Sequence, residues 1–385
     1  MGPVQLGRPH LLRAPRIELE PRVRAHPAPR PATRPLQVKA GAALRLTDRA
    51  ADTRAFEHRN LTLTDSARAQ TPEQIFTDGN AYGSAFFLSA DANQGRYAVN
   101  DVIGAGFVQL ELAVSDRVRL VGGARVERWD LDMDVTRVTG AAEPVSRRYT
   151  DILPALGVNL SLGASQILRL SASQTLSRPE YRELADIYWR DVYGDLPVFG
   201  NANLRRALIQ NYDVRWEWYP NPGEILSVGA FAKWFDDPIE KVIVPQTGAD
   251  GLTFVNADGA TNYGVELEIR KQYAPFTVFG NATLMRSRIQ PGVTTLTSSD
   301  RPMVGQSPYV VNLGLAYTHP AGRLSTTLLY NVVGERIVEA GSLPRPDAYE
   351  HARHMVDFSL QAPVTGTVGL KFDAKNLLDA PHHVT

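Results

Sequence analysis

The sequence contains no cysteine, carries no net charge and has no long apolar run. Without cysteine the chain cannot form disulfides, zinc–thiolate sites or thiol nucleophiles. Its 41 basic and 41 acidic residues argue against a general nucleic-acid binder, which needs a basic surface to displace counterions. No stretch of about 18 apolar residues is present, so no transmembrane helix is predicted. These absences still allow a membrane β-barrel, in which lipid-facing and lumen-facing residues alternate.

The first 35 residues differ in composition from the rest of the chain. They hold eight Pro, seven Arg and two Glu, with no apolar stretch longer than Leu11-Leu12. A secretory signal would need an apolar segment of about 7–15 residues. We therefore predict that residues 1–35 form a disordered Pro/Arg-rich leader, with an interaction tail as the alternative. The remaining residues 36–385 carry 34 basic and 39 acidic side chains, which makes this part mildly acidic.

From Leu36 onward apolar residues recur with a period of two. In residues 36–46 apolar side chains alternate with polar ones, and the pattern returns in 108–114 and 263–270. Such alternation predicts strands with one apolar and one polar face. Thirteen strands are predicted, at 36–60, 98–114, 117–137, 147–162, 165–177, 207–219, 224–236, 260–272, 275–288, 307–319, 322–336, 352–362 and 366–376.

The connections between these strands alternate between short and long. Short ones are predicted near 115–117, 162–165, 219–224, 272–275, 318–322 and 362–366. Long ones are predicted near 62–97, 138–147, 177–206, 236–259, 289–306 and 337–351. This layout is typical of outer-membrane barrels, which have short periplasmic turns and longer extracellular loops.

Strand length and the aromatic residues favour a membrane barrel over a soluble β-sandwich adhesin. The predicted strands exceed the mean of about 5–6 residues in soluble sheets, whereas about 9–11 residues cross a tilted bilayer. Aromatic side chains lie near strand ends, as at membrane interfaces, namely Trp216, Trp218, Tyr219, Trp234 and Tyr317. The predicted fold is all-β, an antiparallel up-and-down transmembrane β-barrel of the outer-membrane type. Because single-chain bacterial barrels have an even number of strands, thirteen indicate an incomplete barrel.

A series of motifs resembles the barrel of the TonB-dependent outer-membrane receptors. In order, they are 121–127, 151–158, 168–180, 200–204, 210–216, 230–239, 262–268, 304–313, 329–337 and 375–379. Each motif is weak alone, but together they cover residues 36–380 in the family's order. The resemblance implies a 22-stranded barrel in the bacterial outer membrane that imports a scarce ligand such as a siderophore, corrinoid or oligosaccharide.

The resemblance also implies partners. In the family a plug domain fills the barrel, and the TonB complex pulls on a short box near the amino terminus. Neither a plug nor a TonB box is recognisable here, so we expect residues 36–385 to be a carboxy-terminal portion of about thirteen strands. The expected partners are outer-membrane lipid, an unknown small-molecule ligand and, in a full-length receptor, the plug and TonB; no nucleic acid is expected.

Two sets of residues are candidates for function under this resemblance. Charged residues on the predicted lumen face are expected to contact the plug or the pore, namely Arg125, Glu127, Arg169, Asp213, Arg215, Glu266 and Glu268. The loop 177–206 combines aromatic side chains with arginines, which suits stacking and charge-assisted hydrogen bonds. Its ligand-contact candidates are Arg178, Tyr181, Arg182, Tyr188, Trp189, Arg190, Tyr193 and Phe199. A solvated polar face and ordinary loop packing are the respective alternatives.

No catalytic residue, cofactor site or metal site is predicted from the sequence. The histidines of residues 351–354 and 382–383 are not spaced with acidic partners that would complete a metal site. A hydrolase of the outer-membrane type would need Ser and His together on the barrel exterior, and no such pairing can be defended. We therefore expect a protein that is not an enzyme, with a passive porin-like channel as the alternative to a receptor.

Overall fold

The computed structural model describes residues 23–25, 36–53, 55–60, 64–75, 77, 79, 86–91, 95–137, 139–189, 196–246, 249–292, 301–341 and 346–385. Nearly all of the regular structure is β-strand. Among the residues just given, three helices of four residues each lie in connections, namely α1 (Asp65–Arg68), α2 (Pro72–Ile75) and α3 (Tyr181–Leu184). No helix among the described residues is long and apolar enough to cross a membrane.

One antiparallel sheet of fourteen strands forms the wall of the molecule. Its strands are β1 (Val23–Ala25), β2 (Leu36–Asp52), β5 (Arg96–Ala113), β6 (Val118–Thr136), β7 (Ala142–Ser161), β8 (Gln166–Ser177), β11 (Ala207–Trp218), β12 (Ile225–Asp236), β15 (Gly259–Tyr273), β16 (Phe276–Gln290), β17 (Tyr309–Thr318), β18 (Ser325–Val333), β21 (Arg353–Pro363) and β22 (Gly369–Ala374). They pair in this order, each with its neighbour in the wall. The up-and-down meander is confirmed, and each of the thirteen predicted strands has a counterpart in this sheet.

The two edge strands of this sheet, β1 and β22, do not pair with each other within the described residues, so the wall is an open arc. β1 lies inside the predicted leader and pairs with β2 through Val23↔Ala40. The rest of residues 1–35 lies outside the described part of the chain. The division into a leader and a partial barrel stays a prediction.

The remaining strands belong to the connections at one rim. They are β3 (Ala55–Asn60), β4 (Phe86–Asp91), β9 (Tyr188–Trp189), β10 (Val198–Phe199), β13 (Ile239–Gln246), β14 (Ala249–Asn256), β19 (Arg336–Glu339) and β20 (Ala348–Glu350). β3 pairs with β4 in a separate two-stranded sheet, so the predicted strand 36–60 is in fact two strands. The predicted alternation of tight turns with long loops is found throughout, with one exception.

The exception is the connection between β6 and β7. The sequence predicts a long loop over 138–147, whereas the strands stay paired as far as Thr136↔Ala142. The prediction of a long loop was wrong because the alternation of apolar and polar residues is no longer that of a lipid-facing strand there. Charged side chains replace apolar ones on one face, and Gly140 and Pro144 resemble loop residues. The result is a hairpin of 19- and 20-residue strands, longer than the wall strands on the opposite side.

The outward face of the wall is apolar and exposed. Val108, Leu267 and Leu284 are 51%, 45% and 57% exposed, as expected where lipid rather than protein covers a strand. Aromatic side chains mark both ends of this apolar face. On β15, Tyr263 and Tyr273 share the outward face ten residues apart. At about 3.3 Å per residue and a tilt of about 40°, they span about 25 Å, the height of the apolar band of such barrels.

The two faces of β6 exchange character along the strand. Near its middle Val126 points outward and Glu127 inward, whereas beyond it Arg128 and Asp130 point outward. On the inward face of the same outer half, Trp129, Leu131, Met133 and Val135 are buried. An outward face that changes from apolar to charged indicates that the strand leaves the lipid near Val126 and continues into water. This exchange defines the outer membrane edge in this sector.

A small sheet from the loops covers the inward face of this outer half. It has the order β13-β14-β10-β9, and β10 pairs in parallel with β14 at Val198↔Leu252. Its buried residues, with those of the neighbouring loop, form one core with β5–β7, including Leu184, Ile187, Trp189, Val198, Leu204, Ile243 and Leu252. The largest described core therefore lies outside the membrane level, between the wall and the folded loops.

Candidate functional site

The inner wall carries the charged residues that the sequence placed on the lumen face. They lie on it because each strand alternates between faces. The cross-strand register then places Arg215 opposite Arg169, and Glu217 and Glu268 on either side of Ser227. Arg169 Nε donates to Glu217 at 3.0 Å, Arg215 Nε donates to the same carboxylate at 3.1 Å, and Arg215 Nη2 donates to Glu268 at 2.5 Å. The result is one ion-pair chain across β8, β11 and β15.

Glu217 is the centre of this chain and was missed in the sequence. Its side chain is 8% exposed, and it also accepts a hydrogen bond from the Tyr219 hydroxyl at 3.0 Å. The sequence could have indicated it, because Glu217 lies two residues after the predicted inner-wall residue Arg215 and therefore on the same face of the strand.

A second cluster on the inner wall joins the membrane level to the loops. Glu127 accepts from Arg125 Nε at 2.5 Å and from Arg178 Nη2 at 2.5 Å. Glu127 and Arg178 are largely enclosed, with side chains 11% and 18% exposed. Arg178 also lies over the Trp129 ring, 5.4 Å from its centroid. Arg178 thus fastens the start of the loop 178–206 to the wall and is not a free ligand contact in this structure.

The two other predicted inner-wall residues are less enclosed. Asp213 accepts a hydrogen bond from the Ser171 hydroxyl at 3.3 Å, and Glu266 lies opposite Gly229 and Thr283 on the inward face. Both are exposed. The structure thus brings the seven predicted residues onto one face, but joins them as two separate ion-pair clusters with two carboxylates outside them.

Asp101 on β5 organises the first turn of the long loop. This buried carboxylate accepts from Trp129 Nε1 at 2.8 Å, from the Tyr181 hydroxyl at 2.7 Å and from Arg45 Nη2 at 3.3 Å. Burial, and then the hydrogen bond to Asp101, raise the pKa of Tyr181 to about 12. Asp101 was not singled out in the sequence, because an isolated acid in a strand gives no sign of what it will meet.

The other candidates of the loop fall into packed and exposed groups. Trp189 is buried and stacks on Phe254 with centroids 6.3 Å apart, while Tyr188 and Phe199 make an edge contact at 5.6 Å. Arg182 is exposed and lies 4.6 Å from the Trp189 ring centroid. Arg190 and Tyr193 lie outside the described residues. The described candidates of the loop therefore take part in loop packing. The side chain of Arg182 and the partly exposed rings of Tyr188 and Phe199 remain accessible to solvent.

This loop lines a polar cavity of 450 Å³. It is lined by Phe199, by the amides of Asn201 and Asn203 and by the ion-paired Arg137 and Asp186. Burial raises the pKa of Asp186 despite the nearby Arg137 guanidinium. Such a mixture of amides, charges and one aromatic ring can hold a polar ligand. In the described part of the chain, no group of three or more His, Asp or Glu side chains is arranged to bind a metal ion.

Comparison with protein families gives one match over most of the chain. The family model described as "TonB dependent receptor-like, beta-barrel" matches residues 35–377. A search of curated proteins found no match.

Solved receptors share the fold at low sequence identity. The ferric-catecholate import receptor Fiu from K12 E. coli has a TM-score of 0.61 and 11% identity, covering 90% of this chain and 48% of that chain. The siderophore receptor PirA from Acinetobacter baumannii has a TM-score of 0.59 and 13% identity, covering 94% and 50%. The copper transporter OprC has a TM-score of 0.62 and 16% identity, covering 94% and 51%. The chain spans about half the length of these structures.

Proposed function

Because the chain belongs to the TonB dependent receptor-like β-barrel family, we propose that it supplies wall and outer loops to a receptor that takes up a scarce small-molecule ligand. Its location is the outer membrane of a Gram-negative bacterium. Uptake would be driven by the TonB complex acting on a plug held inside the barrel. No catalytic step belongs to this proposal.

The observation that carries the proposal is the charged inner wall below a layer of folded loops. At membrane depth, Arg or Lys facing lipid costs about 2–4 kcal/mol, so charge is confined to a face lined by water or protein. The ion-pair chain from Arg169 to Glu268 extends over four neighbouring strands of that face, β8, β11, β12 and β15, with its charged groups on β8, β11 and β15. A plug that meets this wall can exchange hydrogen bonds with these groups when it moves, and we propose that they hold and release it.

The accessible residues of the loop suggest the ligand class. Arg182 offers a cation, Tyr188 and Phe199 offer ring edges, and the cavity beside them offers amides. Aromatic rings beside Arg suit a siderophore, a corrinoid or an oligosaccharide. The receptors of similar fold named above for ferric catecholate and siderophore favour the first of these classes. We therefore propose an anionic siderophore as the leading ligand.

The proposal is tested by ligand uptake in a source strain with and without this gene, each with and without TonB. Radiolabelled ferric catecholate siderophore, cobalamin and a neutral oligosaccharide serve as probes. We expect uptake of one probe to require both the gene and TonB. Uptake that requires the gene but not TonB would support a passive porin-like channel, which the family match does not favour. If deletion of the gene changes the uptake of none of the three probes, the proposal is refuted.

A further inference from the structure

The first turn of the loop 178–206 is docked on the inner wall by the phenol of Tyr181. This residue begins α3, and its hydroxyl donates to Asp101 of β5 at 2.7 Å. Thr47 of β2 pairs with Asp101 across the two strands and is a second neighbour of the phenol. The Arg49 guanidinium lies over the phenol ring, 5.9 Å from its centroid. Thr47, Arg49 and Asp101 thus form a polar socket that receives the Tyr181 side chain.

Asp101 is in turn held in place by the strands on either side of it. Its side chain is buried and accepts from Trp129 Nε1 at 2.8 Å and from Arg45 Nη2 at 3.3 Å. Trp129 lies on β6 and Arg45 on β2, and these two strands flank β5 in the wall. A carboxylate that both neighbouring strands hold is a rigid acceptor, so the wall determines where the Tyr181 hydroxyl lies.

The residue after Tyr181 is Arg182, the accessible cation of this loop. Arg182 is exposed, and its guanidinium lies over the Trp189 ring, 4.6 Å from the centroid. Successive side chains of a helix are about 100° apart around its axis. Because Tyr181 points into the socket, Arg182 is therefore directed sideways, over Trp189. A rotation of this single helical turn would move both side chains together.

The rest of the loop is held by apolar packing in which the Tyr181 hydroxyl takes no part. Leu184 and Ile187 are 0% and 2% exposed and belong to the core that the loops share with the wall. Trp189 belongs to the same core and stacks on Phe254. Loss of the hydrogen bond to Asp101 should therefore leave the loop folded and change the orientation of its first turn.

We infer that Asp101 is a positioning residue for ligand recognition, which acts through Tyr181 to hold Arg182 where the ligand meets the loop. The inference rests on the proposed uptake function and on Arg182 as a ligand contact. A cation that is already held in position binds a ligand without the cost of ordering a long side chain at that moment. Asp101 itself does not touch the ligand, because the wall and Tyr181 enclose it.

The first test compares Tyr181→Phe and Asp101→Asn with the matched control Tyr330→Phe. The Tyr330 hydroxyl is also hydrogen-bonded at 2.7 Å, but to His354 Nδ1 and away from the loop. Uptake of radiolabelled ferric catecholate siderophore is measured in the source strain over a range of concentrations, and the part that does not require the gene is subtracted. We expect the KM of uptake to rise about fivefold in both test variants with Vmax unchanged, since only binding is weakened. The control should keep both constants.

The second test needs no ligand. The amides of residues 183–185 donate to the carbonyl groups of residues 180 and 181, so their hydrogen exchange reports whether the first turn is held. We expect this exchange, measured by mass spectrometry on the full chain in micelles, to be about tenfold faster in Tyr181→Phe than in the unmodified chain. In Tyr330→Phe it should not change. Heat-modifiable migration on gels checks that the variants fold.

Two results would overturn the inference. Unchanged exchange in Tyr181→Phe would show that the phenol does not hold the first turn. A lower Vmax with an unchanged KM would show that the variants have fewer folded receptors and not a displaced cation. If the unmodified strain shows no uptake that requires the gene, the proposed uptake function fails instead. The exchange result alone then decides whether Asp101 and Tyr181 position the first turn.

Discussion

At the scale of single residues, Glu127 shows how a largely enclosed charge on the inner wall is stabilised. It lies largely enclosed between Arg125 and Arg178, and the Nε of Arg178 has no partner of its own among the described residues. Removal of the acid leaves two guanidinium groups close together, one of them mostly enclosed. Breaking a buried pair in this way costs about 3–5 kcal/mol.

We therefore predict that Glu127→Gln lowers the free energy of unfolding by about 3 kcal/mol, measured by guanidinium titration in micelles. The matched control is Glu111→Gln on the same face. Glu111 pairs with Lys39 and Arg119, whose side chains are 40% and 61% exposed, so its loss should cost less than about 1 kcal/mol. Equal losses in the two variants would contradict the role given to enclosure.

A second residue-scale prediction concerns alkaline pH. The pKa of Tyr181 lies at about 12 in the folded chain, against an ordinary value of 10.0, so the folded state favours the neutral phenol. The stability that this group contributes is complete below pH 10 and is lost as the pH rises through the interval from 10 to 12. Near-ultraviolet circular dichroism, which reports the neighbouring Trp129, should change in that interval.

The control for this prediction is Tyr181→Phe. It has no phenol to ionise, so its spectrum should lack that part of the change. If the variant keeps the whole alkaline transition, another tyrosine is responsible.

At the scale of strands, the two faces of the wall should respond oppositely to charge. Neighbouring residues Ala282 and Asn281 of β16 lie near mid-span, the first opposite Leu267 on the outward face and the second opposite Glu268 on the inward face. We predict that Ala282→Arg lowers the free energy of unfolding in vesicles by about 2–4 kcal/mol because the guanidinium must enter lipid.

Asn281→Arg introduces the same side chain one residue away, beside a carboxylate, and should change the unfolding free energy by less than about 1 kcal/mol. Unfolding by urea from phosphatidylcholine vesicles measures both variants. A larger cost at Asn281 than at Ala282 would reverse the assignment of the two faces.

The wall strands could be predicted from sequence because a period of two persists wherever one face meets lipid and the other meets charge. The pattern fails in the outer half of β6 and β7, where Trp129 and Leu131 point inward and Asp130 and Asp132 point outward. In that half the outward face meets water instead of lipid, so its side chains are charged, and the small loop sheet covers the inward face, so its side chains are apolar. The strands of that sheet could not be predicted because Val198↔Leu252 and similar pairs join segments far apart in the chain.

The candidate site was predicted in part. The face of Arg125, Arg169 and Arg215 follows from alternation, and so do the same-strand pairs Arg125–Glu127 and Arg215–Glu217. The pairs Arg169–Glu217 and Arg215–Glu268 depend on the register between strands. Which loop residues pack and which stay accessible depends on tertiary contacts, as for Trp189, which became core, and Arg182, which stayed exposed.

At the scale of the whole molecule, the aromatic side chains predict how the wall sits in a membrane. Trp218, near the short turns, and Trp234, near the long loops, both face outward and are 38% and 47% exposed. Trp234 lies 5.2 Å from Tyr212 in an edge contact. Both indoles should therefore lie at headgroup level, on opposite sides of the bilayer.

We predict that brominated phosphatidylcholine quenches these two indoles more strongly with bromine near the headgroup than with bromine near the chain ends. The quenching of each indole is obtained as the difference in fluorescence quenching between the unmodified chain and the variant Trp218→Phe or Trp234→Phe. Stronger quenching by the deep bromines would place the indoles in the bilayer centre and contradict the membrane level derived from the wall.

Because the β6–β7 hairpin extends beyond the membrane, its tip is a suitable site for inserting an epitope. From Trp129 to Thr136 the strand continues about 20 Å beyond the lipid, taking about 3.3 Å per residue and a tilt of about 40°. Its tip at Gly140 has a positive φ of 84° and is open to solvent. An epitope inserted there would stand clear of the membrane surface, and antibody staining of intact cells would report how much of the protein has reached the outside.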